Sequence, residues 1–307
     1  MIPHYKVTPF SGFYKQKTLV SVAKPCYIIK KDFPCSKRGS KMTKIHPSSV
    51  VMDGAELDDG VEIGPLCYVG PHVKIGAGTR LIAQCNVDGY TTLGKNNTVF
   101  PFCALGQAPQ DLSFSPDTVT YLNIGDGNAF REGSIFHPGT APGSASTIGS
   151  NCLFMGNTHA GHDCKIGNNV IFANGTVIAG HVEIQDHAIL SGLVGVHQFC
   201  RVGRFAIISG NSAFSLDIPP FMMAEGRNGG VRMFNKIGLQ RAGFSEEAMN
   251  AVKHLFRIFY REGLPPKAAI EKIRAEVPQL PEVLEFIEFC ESSKRGVISA
   301  NAGRRNE

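Results

Sequence analysis

From Ile45 onward an aliphatic residue recurs at every sixth position: Ile45, Val51, Leu57, Ile63, Val69, Ile75, Leu81, Val87, Leu93, Val99 and Leu105. The residue after the slot is often glycine, as in Ile63-Gly64, Val69-Gly70 and Ile75-Gly76. The register resumes at Ile124, Phe130 and Phe136, then runs from Ile148 through Phe154, Ala160, Ile166, Phe172, Ile178, Ile184, Leu190, Val196, Val202 and Ile208 to Phe214. A short fixed period whose apolar face needs a neighbour to cover it is the signature of a solenoid. Six residues make one flat side, and three sides close a triangular coil of 18. The slot residue points inward, and Gly or Asn positions turn the corners, where φ is often positive. Coils stack at about 4.8 Å, the interstrand spacing. The fold class expected is mainly β: a parallel β-helix forming a triangular prism, followed by a small α-helical C-terminal domain.

Two stretches leave the period, 106–123 and 138–147, and read as loops ejected from the prism. Loops on a rigid scaffold are favoured places for binding residues, and the first carries Gln110 and Asp111. The repeat stops at Asp217-Ile218-Pro219-Pro220. Helical spacing then appears in three segments: one opened by Ser245, which can cap, one at Pro265-Pro266 and one after Pro281. The expected domains are therefore a basic extension over 1–42, the prism over 43–218 and helices over 219–307.

Composition changes this picture in two places. The chain of 307 residues has a net charge of +5, but nine basic residues and one acid fall within 1–41. The rest is mildly acidic, so charge gives no reason to propose a nucleic-acid partner. Three readings fit residues 1–41: sequence upstream of a true start at Met42, a targeting segment, or a disordered or packed tail. Nine cysteines without a CxxC pair suit a reduced, cytoplasmic setting. No apolar run reaches the roughly 18 residues of a membrane span.

Candidate chemistry lies in the histidines. Ten occur, and five fall between His159 and His197. With 18 residues per coil, His162, Gly180 and Gln198 share one column, Asp163, His181 and Phe199 the next, and Gly161, Ala179 and His197 the one before. His162, His181, His197 and Gln198 thus gather on one edge, and His187 falls outside it. Two chemistries fit such a cluster. One is a metal site of His159, His162, His181 and His197, as in a metal-dependent hydratase. The other is acid–base catalysis, with one His taking a hydroxyl proton and the Gly180 N–H stabilising an oxyanion. Asp163 adjoins His162, but neighbours on a strand face opposite ways, so three routes stay open for its help in orienting His162: through a turn, through a water, or none.

The segments Pro109-Gln110-Asp111-Leu112, His159-Ala160-Gly161-His162-Asp163-Cys164, Ala179-Gly180-His181-Val182 and Val196-His197-Gln198-Phe199 occur in one order with Asp217-Ile218-Pro219-Pro220. This closely resembles the bacterial acyl-carrier-protein–UDP-N-acetylglucosamine O-acyltransferases of lipid A biosynthesis, over residue 43 to about 296. The resemblance implies a left-handed winding, a homotrimer with clefts between prisms, and transfer of a 3-hydroxyacyl group from acyl carrier protein to the glucosamine 3-OH. It implies no cofactor beyond the carrier's phosphopantetheine, and no metal. It makes His162 the general base and Gly180 the oxyanion donor. Gln110 and Asp111 would face the sugar, His159 the cleft, and His181, His197 and Gln198 the nucleotide sugar or acyl group. Asn235 and Arg241 would meet the diphosphate or the carrier, and Gly210 would limit acyl length. Three positions depart from the family pattern: Ser113 replaces a lysine expected to serve a phosphate, Ile237 replaces an acid, and Ala242 replaces an arginine. These departures raise a 3-amino sugar nucleotide as an alternative acceptor.

Overall fold

The computed structural model describes residues 42–299 except 228. The readings of residues 1–41 lie outside them. Among the described residues, short strands, most of two residues, fall on the hexad slots and stack into three sheets of eleven, nine and eight strands. The three sheets are the sides of a left-handed parallel β-helix. Side 1 begins with Lys44–Ile45, side 2 with Val50–Val51 and side 3 with Glu56–Leu57. Strand partners are 18 positions apart, as in Lys44↔Glu62, Val50↔Tyr68 and Glu56↔Lys74.

The two loops interrupt the spacing without breaking the stack. Tyr90 pairs with Tyr121, and Tyr121 with Ala145, in the same side. Strands resume at Tyr121 and Ala145, so both loops end three residues earlier than periodicity sets. Inward slots fill the prism: Val69, Leu105, Phe130, Phe154, Phe172 and Ile178 are all fully buried. Phe130, Phe136, Phe154 and Phe172 interlock with centroids 4.7–5.3 Å apart. Each such side chain contributes roughly 1.5–3 kcal/mol of burial.

The end of the prism differs from expectation. A hairpin, Met222–Glu225 with Gly230–Phe234, extends side 1 by an antiparallel pair. Among the described residues four helices follow rather than three: α1 (Lys236–Arg241), α2 (Glu246–Arg261), α3 (Pro266–Glu276) and α4 (Pro281–Glu291). Ser245 caps α2 through the Ala248 N–H, and prolines open α3 and α4, as their sequences suggest. The short α1 is capped by Asn235. Arg204 grips Glu285 with two nitrogens and fastens α4 to the prism. Among the described residues, no helix is long and apolar enough to cross a membrane.

Candidate active site

The edge between sides 2 and 3 is built from 161–164, 179–182 and 197–200, one turn on each of three coils. Asp163, His181 and Phe199 stack there with φ of 57°, 59° and 64°. That left-handed corner decides the geometry of the base. Asp163 is in a turn, not a strand, so the alternation of strand side chains does not govern it. Its Oδ2 lies 2.9 Å from His162 Nδ1. Of the routes left open for Asp163, the contact is made directly, through the turn. Thr140, from the second loop, donates to the same oxygen through N–H (3.1 Å) and Oγ (2.7 Å). Burial pushes the Asp163 carboxyl up, but the hydrogen bonds from His162 and Thr140 outweigh it and hold the group below its usual range. An ionised carboxylate only accepts, so His162 Nδ1 carries the ring proton and Nε2 has the lone pair.

The first loop supplies the other side. Asp111 Oδ2 stands 3.8 Å from His162 Nε2. Its Oδ1 accepts from Ser113 N–H (2.8 Å) and Oγ (2.7 Å). These bonds, with a smaller contribution from His162, keep the Asp111 carboxyl below its usual range. Ser113, where a lysine was expected, thus fixes which carboxylate oxygen faces the imidazole.

Gly180 lies directly under the ring: a Cβ there would be 2.5 Å from His162 Nε2 and 2.6 Å from Cε1. Its N–H makes no hydrogen bond among the described residues. Gly161 keeps that donor open, since a Cβ at 161 would sit 2.7 Å from Gly180 N. His181 stands perpendicular to His162 at 5.1 Å and lies flat on Phe199 at 4.6 Å. Its Nε2 is 3.7 Å from Asp163 Oδ2. His197 and Gln198 are exposed one coil further on, and His159 and His197 line an apolar groove on side 2 with Val177, Gly195 and Ala213. Gln110 is exposed beside Asp111. Cys164, by contrast, is buried, and burial pushes its thiol up to about 12, which suits a core residue rather than a nucleophile.

Three expected site residues lie elsewhere on this chain. Gly210 is on the edge between sides 1 and 2. Asn235 is buried, and its side chain is committed: Oδ1 accepts from Gly238 N–H and Nδ2 donates to the Phe205 carbonyl. Arg241 is exposed at the end of α1. His187, set aside by spacing, stacks on Phe205 at another corner.

Spacing missed His137, which lies below Gly161 on the preceding coil. Its Nδ1 meets the Gln107 carbonyl at 3.1 Å, tying the first loop down. His137 is buried 5.2 Å from His159, and neither Nε2 has a partner among the described residues. The only hint in the sequence was its position between the last regular slot, Phe136, and the second loop. Burial lowers both pKa values. Such imidazoles contribute stability that is full above the free-histidine pKa of about 6.5 and is lost as pH falls through their lowered folded values. Tm is expected to drop between pH 7.5 and 5, with a shallower slope in the His137→Gln/His159→Gln double variant; an unchanged slope would assign the effect to other groups.

The comparisons with known proteins point to one family. The family described as bacterial transferase hexapeptide (six repeats) matches residues 145–180, and the one described as Udp N-acetylglucosamine O-acyltransferase, domain 2, matches 217–298. A relative from Thermodesulfovibrio yellowstonii, an acyl-[acyl-carrier-protein]–UDP-N-acetylglucosamine O-acyltransferase, is 43% identical over 257 residues, covering 83% of this chain and 99% of its own. The chain belongs to the UDP-N-acetylglucosamine O-acyltransferase family. A second acyltransferase relative with the same name, from Myxococcus xanthus, is also 43% identical with the same coverage. Among solved acyltransferases, that of Francisella novicida superposes with a TM-score of 0.80 at 36% identity, covering 84% of this chain and 95% of its own. One from Acinetobacter baumannii gives 0.79 at 38%, covering 83% and 99%. The hydratase and 3-amino-acceptor alternatives gain no support from these acyltransferases.

Proposed function

We propose that this acyltransferase moves a 3-hydroxyacyl group from acyl carrier protein to the glucosamine 3-OH of UDP-N-acetylglucosamine, in lipid A biosynthesis. The observation that carries the reading is His162, held at Nδ1 by Asp163 and facing both Asp111 and the free N–H of Gly180. The sugar hydroxyl gives its proton to Nε2 as its oxygen attacks the thioester carbonyl. Asp163 and Asp111 stabilise the imidazolium. Gly180 N–H bonds the developing oxyanion. The thioester C–S bond then breaks, and the imidazolium returns its proton to the carrier's thiol. Gln110, Asp111 and His159 would hold the sugar, and His181, His197 and Gln198 the rest of the nucleotide sugar or the pantetheine arm. No metal or bound cofactor enters this scheme.

The proposed assembly is a homotrimer in a cytoplasmic setting, and an exposed apolar edge supports the trimer. Leu66, Phe102 and Leu193 are 62%, 63% and 67% exposed at corners with positive φ, on the same edge as Gly210. Bulky side chains there cost strain and expose apolar surface, both of which a neighbouring copy would offset. That copy would bring Gly210 opposite the groove of side 2. The carrier would dock where Arg232, Lys253, Arg257 and Arg261 line one groove of α2 and the hairpin, with Arg241 nearby in sequence.

Mass spectrometry of the product formed from mixed acyl-carrier thioesters tests the reading. Ester formation with UDP-N-acetylglucosamine is expected. Transfer confined to its 3-amino analogue would assign Ser113 to a changed acceptor, and no transfer to either would overturn the function.

A further inference from the structure

The corner that holds the base has a second property. We propose that His162 Nδ1, Asp163 and His181 Nε2 bind one divalent transition-metal ion, with Zn²⁺ the best match, and that the ion switches the catalytic base off. The site rests on geometry alone; its consequence rests on the acyl-transfer reading.

These three groups offer ligand atoms that lie within 4.8 Å of one another. In a tetrahedral zinc site with bonds of about 2.0–2.1 Å, ligand atoms stand about 3.3 Å apart. Two of the separations bracket that value, 2.9 Å from His162 Nδ1 to Asp163 Oδ2 and 3.7 Å from Asp163 Oδ2 to His181 Nε2, and the third is within 4.8 Å. The two imidazole rings meet at 89°, so their nitrogens converge on the carboxylate from different directions. Outer contacts already orient the set. Thr140 holds the carboxylate with two donors, and Phe199 supports the His181 ring. The His181 side chain is 39% exposed, which leaves an approach from solvent and a fourth position for water. Two imidazoles with one carboxylate suit zinc and its neighbours; magnesium prefers an all-oxygen shell. The ligand set also differs from the four histidines that spacing groups together: His159 and His197 drop out, and Asp163 enters.

Inhibition follows from the tautomer. Neutral imidazole has one proton and one lone pair. Catalysis needs the proton on Nδ1, facing Asp163, and the lone pair on Nε2. An ion on Nδ1 needs a lone pair on that nitrogen, so the ring's proton must move to Nε2. The ring stays neutral, but the nitrogen that should accept the sugar proton now carries one. The Asp163 carboxylate is diverted to the metal at the same time. The Nε2 face and Asp111 are left in place, but His181, assigned to the nucleotide sugar or the pantetheine arm, is diverted with Asp163. Zinc should therefore lower kcat, and KM for the substrate that His181 holds should rise by a smaller factor.

Titration calorimetry of chelator-treated protein with ZnCl₂ and MgCl₂ tests the site. One Zn²⁺ per chain is expected, with far weaker response to Mg²⁺. His181→Gln and Asp163→Asn should each weaken zinc at least about 10-fold. Both variants suit the corner, because Gln84 takes φ of 51° in this fold and Asn tolerates positive φ. In transfer assays zinc should reduce kcat at least about 10-fold and be reversed by chelator. Zinc affinity unchanged in both variants, or no saturable binding, would overturn the site. Stoichiometric binding with unaltered kcat would overturn the switch. A metal-free protein that never transfers acyl groups would sink the acyl-transfer reading and the switch with it, while the calorimetry still decides the site.

Discussion

Replacing His162 with alanine is expected to lower kcat for acyl transfer by a factor of about 10²–10⁴, the usual worth of a positioned general base. The sugar-nucleotide KM should move much less, because the contacts assigned to binding sit on other residues. The loss is confined to chemistry for a structural reason. His162 is at a turn on the outer edge, and its backbone carbonyl, which alanine keeps, accepts the His181 N–H at 2.8 Å. The core column beneath it is unaltered. Turnover close to that of the unsubstituted protein would remove His162 from the mechanism. Exogenous imidazole should restore part of the rate if the cavity left by the ring admits it.

The second large effect is expected from a single methyl group. Gly180→Ala adds a Cβ 2.5 Å from His162 Nε2 and 2.6 Å from Cε1, well inside contact distance. The backbone at 180 is not in the left-handed region, so alanine causes no conformational penalty there. The imidazole tip must give way, and with it goes the alignment of Nε2. The same methyl crowds the approach of a thioester to the Gly180 N–H. A fall in kcat of about 10²–10³ is expected, similar to the loss of an oxyanion donor. The change in Tm should stay below about 4 °C, the equivalent of roughly 1 kcal/mol or so in a domain of this size. A Gly180→Ala protein with ordinary turnover would show that the ring does not work from this position. One that unfolds would show that the glycine serves packing instead.

Most of the fold is legible in the sequence because each coil repeats the same instruction: an aliphatic slot inward, a permissive corner after it. Ile63, Val69 and Ile75 state it plainly, and their strands fall where the period puts them. The column of His162, Gly180 and Gln198 is legible for the same reason. Contacts that are not periodic are harder to see. Asp163 follows His162 in sequence, and a rule drawn from strands separates them; the corner reverses that, and no local pattern announces how far its side chain swings. His137 reaches the Gln107 carbonyl across 30 positions, through a loop whose path the period does not specify. The six-residue α1 is too short for helical spacing to register, and Asn235 looks like an open polar group until the helix it caps is present.

The two loops carry a lesson about phase. The second adds six residues between partner strands, since Tyr121 pairs with Ala145 at a spacing of 24 instead of 18. Six is one full side, so laid into the prism those residues would have rotated everything after them by a third of a turn. His162 would then have faced away from the loop that carries Asp111. Instead the extra residues leave at a corner and return to it, and every later coil keeps its angular position. Duplication of a whole 18-residue coil near the start would likewise lengthen the prism without turning the catalytic edge, whereas losing one hexad from within a coil would break it. Inheritance of this architecture is therefore quantised: variation is cheap in steps of a complete coil or in excursions from a corner, and ruinous in steps of a single side.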